Sequence, residues 1–233
     1  MILSFNSWQD WLDPAVRNLQ ANSLAAAPNR LLCVDGFLVK AMAIKLATIL
    51  TGNVKFEPRF ASIPRMESTH PSARAQLVTE KEWEQTPVRD RFFRFDSIEA
   101  LSDAATDVED RLVLMAFWQV LAGDDFRIWI ESLSRRPCNR PVLEAHSMSS
   151  GHFIAPHSDA RAGRTVGVFL YLTPGWSESD GGALEIQGSN LKLLPLFNRA
   201  VLFDVDGHEK HQIRPLPHAR GLRRLSLGAW FHG

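Results

Sequence analysis

Cysteine is scarce in this chain. Cys33 and Cys138 are the two among 233 residues, too few for a disulfide framework. A chain of this length can bury a full apolar core without one, and 45% of its residues are hydrophobic. Two isolated thiols point to a reducing, cytoplasmic compartment. Cys138 has no C-x-x-C partner and lies far in sequence from the histidine motif described below, so it is not read as a metal ligand. An excess of one charge is also missing, because 26 Lys and Arg balance 26 Asp and Glu. That removes the overall basic footprint of a nucleic-acid binder, although a local patch stays open. No apolar run reaches the length of a membrane span, and the N-terminus lacks a basic-then-apolar targeting pattern. Neither a nucleic-acid nor a membrane partner is expected. There is no internal repeat and no low-complexity segment, and the last strand candidate ends one residue before the C-terminus.

What is present divides into two halves. Residues 31–34 (LLCV) form a short apolar strand candidate, punctuated by Asp35-Gly36 and followed by an apolar stretch of helical length to about Leu50. Residues 107–121 carry acidic groups in their first turn and apolar spacing near the helical period, so they read as a helix ended by Gly123. A second helix over 124–135 begins with Asp and ends in Arg, as the helix dipole favours. The stretch 52–95 holds Pro58, Pro64, Pro71, Pro87 and many charges without a sustained period. It has short β-like pieces and reads as partly a long functional loop region rather than a separate domain, with 57–95 a lid whose arginines (Arg59, Arg65, Arg74, Arg89, Arg91, Arg94) are open to an anionic substrate group or to solvent. From Val142 the pattern changes to strands, over 142–148, 152–157, 165–172, 182–187, 191–194, 199–205, 211–216 and 224–232. Turn clusters lie at 177–182 and 204–209. Short strands at this spacing predict a barrel or sandwich of the jelly-roll kind.

The sequence His157-Ser158-Asp159 lies at the end of one strand candidate. Residues i and i+2 on a strand share a face, so His157 and Asp159 can converge on one ion. A second histidine, His211, opens a later β-patterned segment. Two imidazoles and one carboxylate on one face of Fe(II) leave three coordination positions open, the arrangement used by non-haem iron oxygenases. His208, in the turn DVDGHE beside Gly207, competes for the third position. His211 is preferred because it leads into the apolar alternation HQIRPL. His146 and His152 read as strand or pocket-rim residues, and His70, His218 and His232 as surface.

In the last strand Leu225, Leu227, Ala229 and Phe231 form one apolar face, while Arg224, Ser226, Gly228 and Trp230 form the other. A buried guanidinium is costly unless an anion pairs with it. No acidic residue lies nearby on this strand, and a bound carboxylate would satisfy Arg224 in a bidentate way. An acidic partner from elsewhere in the fold is the alternative.

These residues, with GHFIAPHSD (151–159), FLYLTPGW (169–176), GGALEI (181–186), NRAVLFDV (198–205), HQIRPL (211–216) and RLSLGAWF (224–231), resemble the prolyl 4-hydroxylase-like branch of Fe(II)/2-oxoglutarate-dependent dioxygenases. The pieces occur in that family's order. The resemblance implies a mainly β fold with α, a double-stranded β-helix (jelly roll, cupin-like) supported by N-terminal helices. It implies one dioxygenase domain over 1–233, with 1–140 as helix-rich support and lid and 141–233 as the β-helix core. It makes His157, Asp159 and His211 the iron ligands and catalytic centre, and places Arg224 on the distal carboxylate of 2-oxoglutarate. Tyr171, the single tyrosine of the chain, matches a tyrosine whose hydroxyl reaches the same carboxylate. Three positions depart from the family pattern. Thr173 stands where an Asn is usual, Met148 falls near a usual Tyr, and Gly228 replaces a frequent Thr, which leaves Ser226 to supply that hydroxyl.

The implied cofactor is Fe(II), with 2-oxoglutarate and O2 as co-substrates and ascorbate as a candidate reductant. The implied reaction is hydroxylation of an unactivated C–H with decarboxylation of 2-oxoglutarate to succinate. Related halogenases carry Gly or Ala at the carboxylate position. Asp159 therefore argues for oxygenation and against halogenation. The absence of a partner-binding module favours a small molecule, a free or carrier-bound amino acid or similar metabolite, as substrate. A peptidyl-prolyl hydroxylase acting on a protein, or a non-catalytic jelly-roll binding module, are the alternatives.

Overall fold

The helix over Val108–Ala122 starts where Asp107 accepts the backbone N–H groups of Glu109 and Asp110, satisfying two donors that a helix start leaves unpaired. It stops at Gly123, and the next helix, Asp124–Ser134, turns out through Arg135 in the left-handed region. Phe126, Trp129, Ile130 and Leu133 recur at helical spacing on the buried face of this second helix. Together with Leu46, Ile49 and Leu50 of the helix Lys40–Gly52 they pack on Leu225, Leu227, Ala229 and Phe231 in one apolar cluster. Each of the leucine, isoleucine and phenylalanine side chains among them, removed from water, contributes about 1.5–3 kcal/mol. The computed structural model describes residues 8–63, 75–98, 107–160, 163–207, 210–217 and 220–233.

The strands are β1 (Leu31–Asp35), β2 (Glu57–Ser62), β3 (Gln76–Val78), β4 (Arg91–Ser97), β5 (Val142–Met148), β6 (Phe153–His157), β7 (Arg164–Tyr171), β8 (Leu184–Ile186), β9 (Lys192–Leu193), β10 (Arg199–Asp204), β11 (His211–Ile213) and β12 (Arg224–His232). Their order is β1-β10-β7-β12-β5-β4-β6-β11-β8-β9, with β2 joined to β4 and β3 to β2. Every pairing is antiparallel. The β1-β10-β7-β12-β5 wall is covered by helices on one face. Its other face carries Met148, Tyr171, Val201, Phe203 and Trp230, which meet Leu184, Ile186, Leu193 and Ile213 of the β6-β11-β8-β9 wall. Two walls closing face to face around a second core are the expected jelly roll, a sheet nearly closed on itself.

The segment read as a loop and lid is largely ordered structure. β2, β3 and β4 form a meander there, and the helix Glu80–Gln85 begins at a Thr79/Glu82 capping box. β4 then pairs with both β5 and β6, bridging the two walls. Its charges mislead because they lie on aromatic faces: Arg91 sits 4.1 Å above the Trp83 ring, and Arg94 5.6 Å from the Phe60 ring. Arg59 donates to Ser97, and Arg89 lies beside Asp90. None of these four arginines lines the main cavity described below, and Arg59 lines a smaller cleft beside it. Arg65, Arg74 and His70 lie outside the described residues.

Candidate metal and co-substrate site

β6 ends at His157, and β11 begins directly opposite it at His211. The backbone continues from His157 to Asp159, so three potential ligands arrive from two adjacent strand ends. One ligand atom from each lies within 4.8 Å of the others, a group that could hold a metal ion. Asp159 Oδ2 is 2.9 Å from His211 Nε2, and Oδ1 is 3.6 Å from His157 Nε2. The imidazole centroids are 4.3 Å apart. His157 Nδ1 faces the Ala155 carbonyl oxygen at 2.9 Å. A proton on Nδ1 satisfies that contact and leaves Nε2 with its lone pair toward Asp159 and His211.

Burial pushes the Asp159 carboxyl upward, but hydrogen bonds from His157 and His211 and their charges outweigh it and hold the group below the usual carboxylate range. Burial lowers the His211 imidazole, an effect partly opposed by Asp159, so the ring favours its neutral form. An ionised carboxylate beside a neutral imidazole is the state that donates lone pairs to a metal. Arg164 reaches Asp159 Oδ1 at 3.4 Å and lies 4.0 Å above the Trp230 ring. His208 and His218 lie outside the described residues.

Arg224, at the start of β12, is 3% exposed. Its Nε donates to the Gly182 carbonyl at 2.9 Å, and Nη1 lies 3.7 Å from Met148 Sδ. Its guanidinium carbon is 4.8 Å from the Tyr171 ring centroid. Among the described residues no carboxylate pairs with it. Burial raises the Tyr171 phenol, with Arg224 pulling the other way, so the hydroxyl stays protonated and able to donate. Gly182 has φ +67°, and a Cβ there would come within 3.0 Å of Arg224 Cδ, so the glycine lets its carbonyl approach the guanidinium. Arg220 donates to Asp180 and to the Gly175 carbonyl, tying this loop to the approach of β12. Thr173, the departure from Asn, donates to the Arg223 carbonyl at 2.6 Å and accepts the Leu225 N–H at 2.8 Å. It clamps the backbone on both sides of Arg224. Ser226 lies in register with Tyr171 on one side and His146 on the other.

One cavity of ≈ 400 Å³ is lined by His157, Asp159, His211, Arg224, Tyr171 and Ser226 together. The rest of its lining is mainly apolar. Phe92, Phe93 and Phe95 come from β4, and Phe169, Phe203 and Trp230 from the inner wall. Sequence reading missed the β4 phenyls, together with Arg164 and Glu144. The repeated Phe at 92, 93 and 95 was the available signal. His146 lines the cavity, consistent with its reading as a pocket-rim residue.

Residues 143–232 match the model of the 2OG-Fe(II) oxygenase superfamily. The prolyl 3-hydroxylase OGFOD1 of Xenopus laevis is 31% identical over 120 residues, 47% of this chain and 23% of that protein. The prolyl 3-hydroxylase sudestada1 of Drosophila melanogaster is 27% identical over 136 residues, 52% of this chain and 25% of that protein. The chain thus spans about a quarter of the length of these relatives. Among solved structures, a Trichoplax adhaerens prolyl hydroxylase in complex with a hypoxia inducible factor peptide fragment superposes with a TM-score of 0.60 at 17% identity, covering 94% of this chain and 89% of that one. A Pseudomonas putida prolyl-4-hydroxylase gives 0.54 at 20% identity, covering 90% and 95%. These findings correct the expectation of a small-molecule substrate. That expectation rested on the lack of a partner-binding module, yet the matched relatives are prolyl hydroxylases, and the Trichoplax protein is in complex with a peptide fragment. No helix among the described residues is long and apolar enough to cross a membrane. Residues 143–232 thus match the 2OG-Fe(II) oxygenase superfamily, and the two facing walls share the fold of these solved structures.

Proposed function

We propose that this chain is an Fe(II)- and 2-oxoglutarate-dependent prolyl hydroxylase acting on a polypeptide. The observation that carries the reading is Arg224, a buried guanidinium with no carboxylate partner among the described residues, lining the same cavity as the His157, Asp159 and His211 cluster. A buried cation without an anion is unfavourable by several kcal/mol, of the order given by charge desolvation, and a dicarboxylate co-substrate relieves it. His157, Asp159 and His211 would hold the Fe(II). Arg224 would fix the distal carboxylate of 2-oxoglutarate, with the Tyr171 and Ser226 hydroxyls as further donors. When bound, the metal and co-substrate supply the oxidising chemistry, with decarboxylation to succinate, and the protein supplies positioning and exclusion of water.

The protein's own contributions follow from the geometry. The Ala155 carbonyl holds His157 in one tautomer, and Arg164 restrains one oxygen of Asp159. The phenyl and indole walls keep the cavity dry, which suits an uncharged pyrrolidine ring. The proposal treats 1–233 as one dioxygenase domain with 57–95 as cover, since β4 pairs with both walls and its phenyls line the cavity. A cytoplasmic location is part of it, in keeping with the two free thiols.

The test uses purified protein with Fe(II), 2-oxoglutarate, ascorbate and a panel of proline-containing peptides. Succinate release coupled to a peptide product heavier by one oxygen atom supports the reading. Metal and 2-oxoglutarate binding without succinate would return the chain to a binding module. Succinate without modified prolyl would overturn the substrate class.

A further inference from the structure

β5 brings to the cavity two polar side chains that metal and co-substrate binding do not use. Glu144 and His146 are alternate residues of one strand and share a face. Both line the main cavity, and both also line a second cleft of ≈ 190 Å³, apolar at Phe93, Phe95, Leu77 and Leu143, with the Arg59 guanidinium held there on Ser97. They therefore stand on the ledge where one space passes into the other. Glu144 Oε1 is 3.6 Å from Arg164, and Oε2 is 3.4 Å from His146 Nε2. The His146 ring lies 4.4 Å from Phe95, which is stacked on Phe93 at 4.4 Å. The Glu144 side chain keeps 27% exposure. A carboxylate offers about four lone-pair positions. Arg164 and His146 approach one oxygen each, so Glu144 retains accepting capacity.

Charge narrows what Glu144 can receive. With Fe(II) and the 2-oxoglutarate dianion bound, the metal, Asp159, the co-substrate and Arg224 carry no net charge together, and Arg164 and Glu144 cancel each other. A charged substrate group would unbalance a half-buried, mainly apolar site. A neutral donor does not, and a main-chain amide is such a donor. Proline has no N–H of its own. Counted in bonds from its Cα, the nearest N–H belongs to the residue that follows. Resting on the prolyl reading above, we propose that Glu144 is a specificity-determining residue for the polypeptide substrate. It accepts the main-chain N–H of the residue after the oxidised prolyl, and the side chain of that residue enters the second cleft, whose phenyl walls select an apolar group.

The experiment uses the whole chain loaded with Mn(II) and 2-oxoglutarate without oxygen, so that binding is read with no turnover. The probes are acetylated pentapeptide amides with a central proline. The next residue is varied through Gly, Leu, Phe, Asp and Lys, and a parallel set replaces the amide after proline by an ester, which removes the N–H. Leu and Phe are expected to bind about tenfold tighter than Gly, as burial of one large apolar side chain allows. The ester should weaken binding about tenfold or more, as loss of a hydrogen bond to a charged acceptor does. In Glu144→Ala the amide–ester difference should fall to about twofold while Mn(II) and 2-oxoglutarate affinities hold, which also reports correct folding. The ester penalty in the unmodified protein needs no variant, and its absence overturns the proposal. So does a penalty that survives in Glu144→Ala, or indifference to the following residue. Failure of every prolyl peptide to bind the unmodified protein overturns the prolyl reading and this inference together. Binding that ignores Glu144 overturns this inference alone.

Discussion

Replacing Arg224 by Met separates the requirement for co-substrate from the requirement for fold. Met keeps most of the buried aliphatic stem and removes the guanidinium, which is 3% exposed and unpaired with any described carboxylate. In the ligand-free protein two effects oppose each other. The Gly182 carbonyl loses its donor, at about 1–3 kcal/mol. A buried cation disappears, which relieves a desolvation penalty of several kcal/mol. The ligand-free variant is therefore expected to melt no lower than the unmodified protein. With co-substrate the balance reverses. The distal carboxylate is left without its charged partner in a mostly dry cavity, a loss of roughly 2–5 kcal/mol. At about 1.4 kcal/mol per tenfold, even the lower figure weakens 2-oxoglutarate binding by about 30-fold. At a concentration of 100 times the unmodified protein's Kd, the ligand stabilises that protein by about 2.7 kcal/mol. The same concentration stabilises the variant by only about 0.9 kcal/mol. Thermal unfolding with Mn(II), with and without 2-oxoglutarate, reads both predictions, and calorimetric titration gives the affinity. Unchanged 2-oxoglutarate affinity with metal still bound would refute the assignment. Arg220 is committed to Asp180, and Arg223 to Ser147 and Asp96. The role would then pass to Arg164, the other arginine of the cavity.

Four further outcomes are expected. His211→Ala should abolish metal binding measured by elemental analysis, whereas His208→Ala should retain most of it, and the reverse result would exchange the two. Gly228→Ala places a Cβ 2.5 Å from Phe169 Cε1. It should cost about 1–3 kcal/mol in denaturant unfolding, with Phe169→Leu in the same chain recovering most of the loss. A hydrogen bond from Lys45, then one from Asn53, holds the Asp110 carboxyl below its ordinary value. A depressed folded value gives stability that is present above the unfolded carboxylate range and lost as pH falls through the folded one, so Asp110→Asn should flatten the acid limb of stability against pH. On the proposed ligand set the product under 18-O2 in chloride-rich buffer should carry 18-O and no chlorine, because the Asp159 carboxylate would take the position that chloride needs; a chlorinated product would contradict this.

Much of the C-terminal half was legible because its strands are buried on faces that the sequence itself distinguishes. In β12 the helix-covered face holds only Leu225, Leu227, Ala229 and Phe231, and the cavity face mixes Arg224, Ser226 and Trp230. No other period fits that alternation. His157 and Asp159 were legible as neighbours because two residues along a strand end restore the same direction. That His211 lies directly across from His157 was not, since pairing register over a long separation depends on closure of the two walls and not on local pattern. β2–β4 was hidden for a different reason. β2 and β4 interleave arginine with phenylalanine, and arginine reads as solvent-facing until the guanidinium is seen lying on Trp83 and Phe60.

The departures from the family pattern show how the site was rebuilt around them. Gly228 removes the hydroxyl that a Thr would have offered, and the vacated space is filled by Phe169 from the paired strand, stacked in turn on Phe203 and edge-on to Trp230. Thr173 in place of Asn still binds the backbone on both sides of Arg224. Met148 in place of Tyr leaves a soft sulfur beside that guanidinium where a phenol would have competed for the same carboxylate. Of the three positions Met148 lines the cavity itself, and none is among the three groups that could hold the metal. The chemistry therefore depends on a few atoms held by strand ends. On the proposed reading, the choice of polypeptide falls to the inner faces of β4, β5 and β7, which line the cavity.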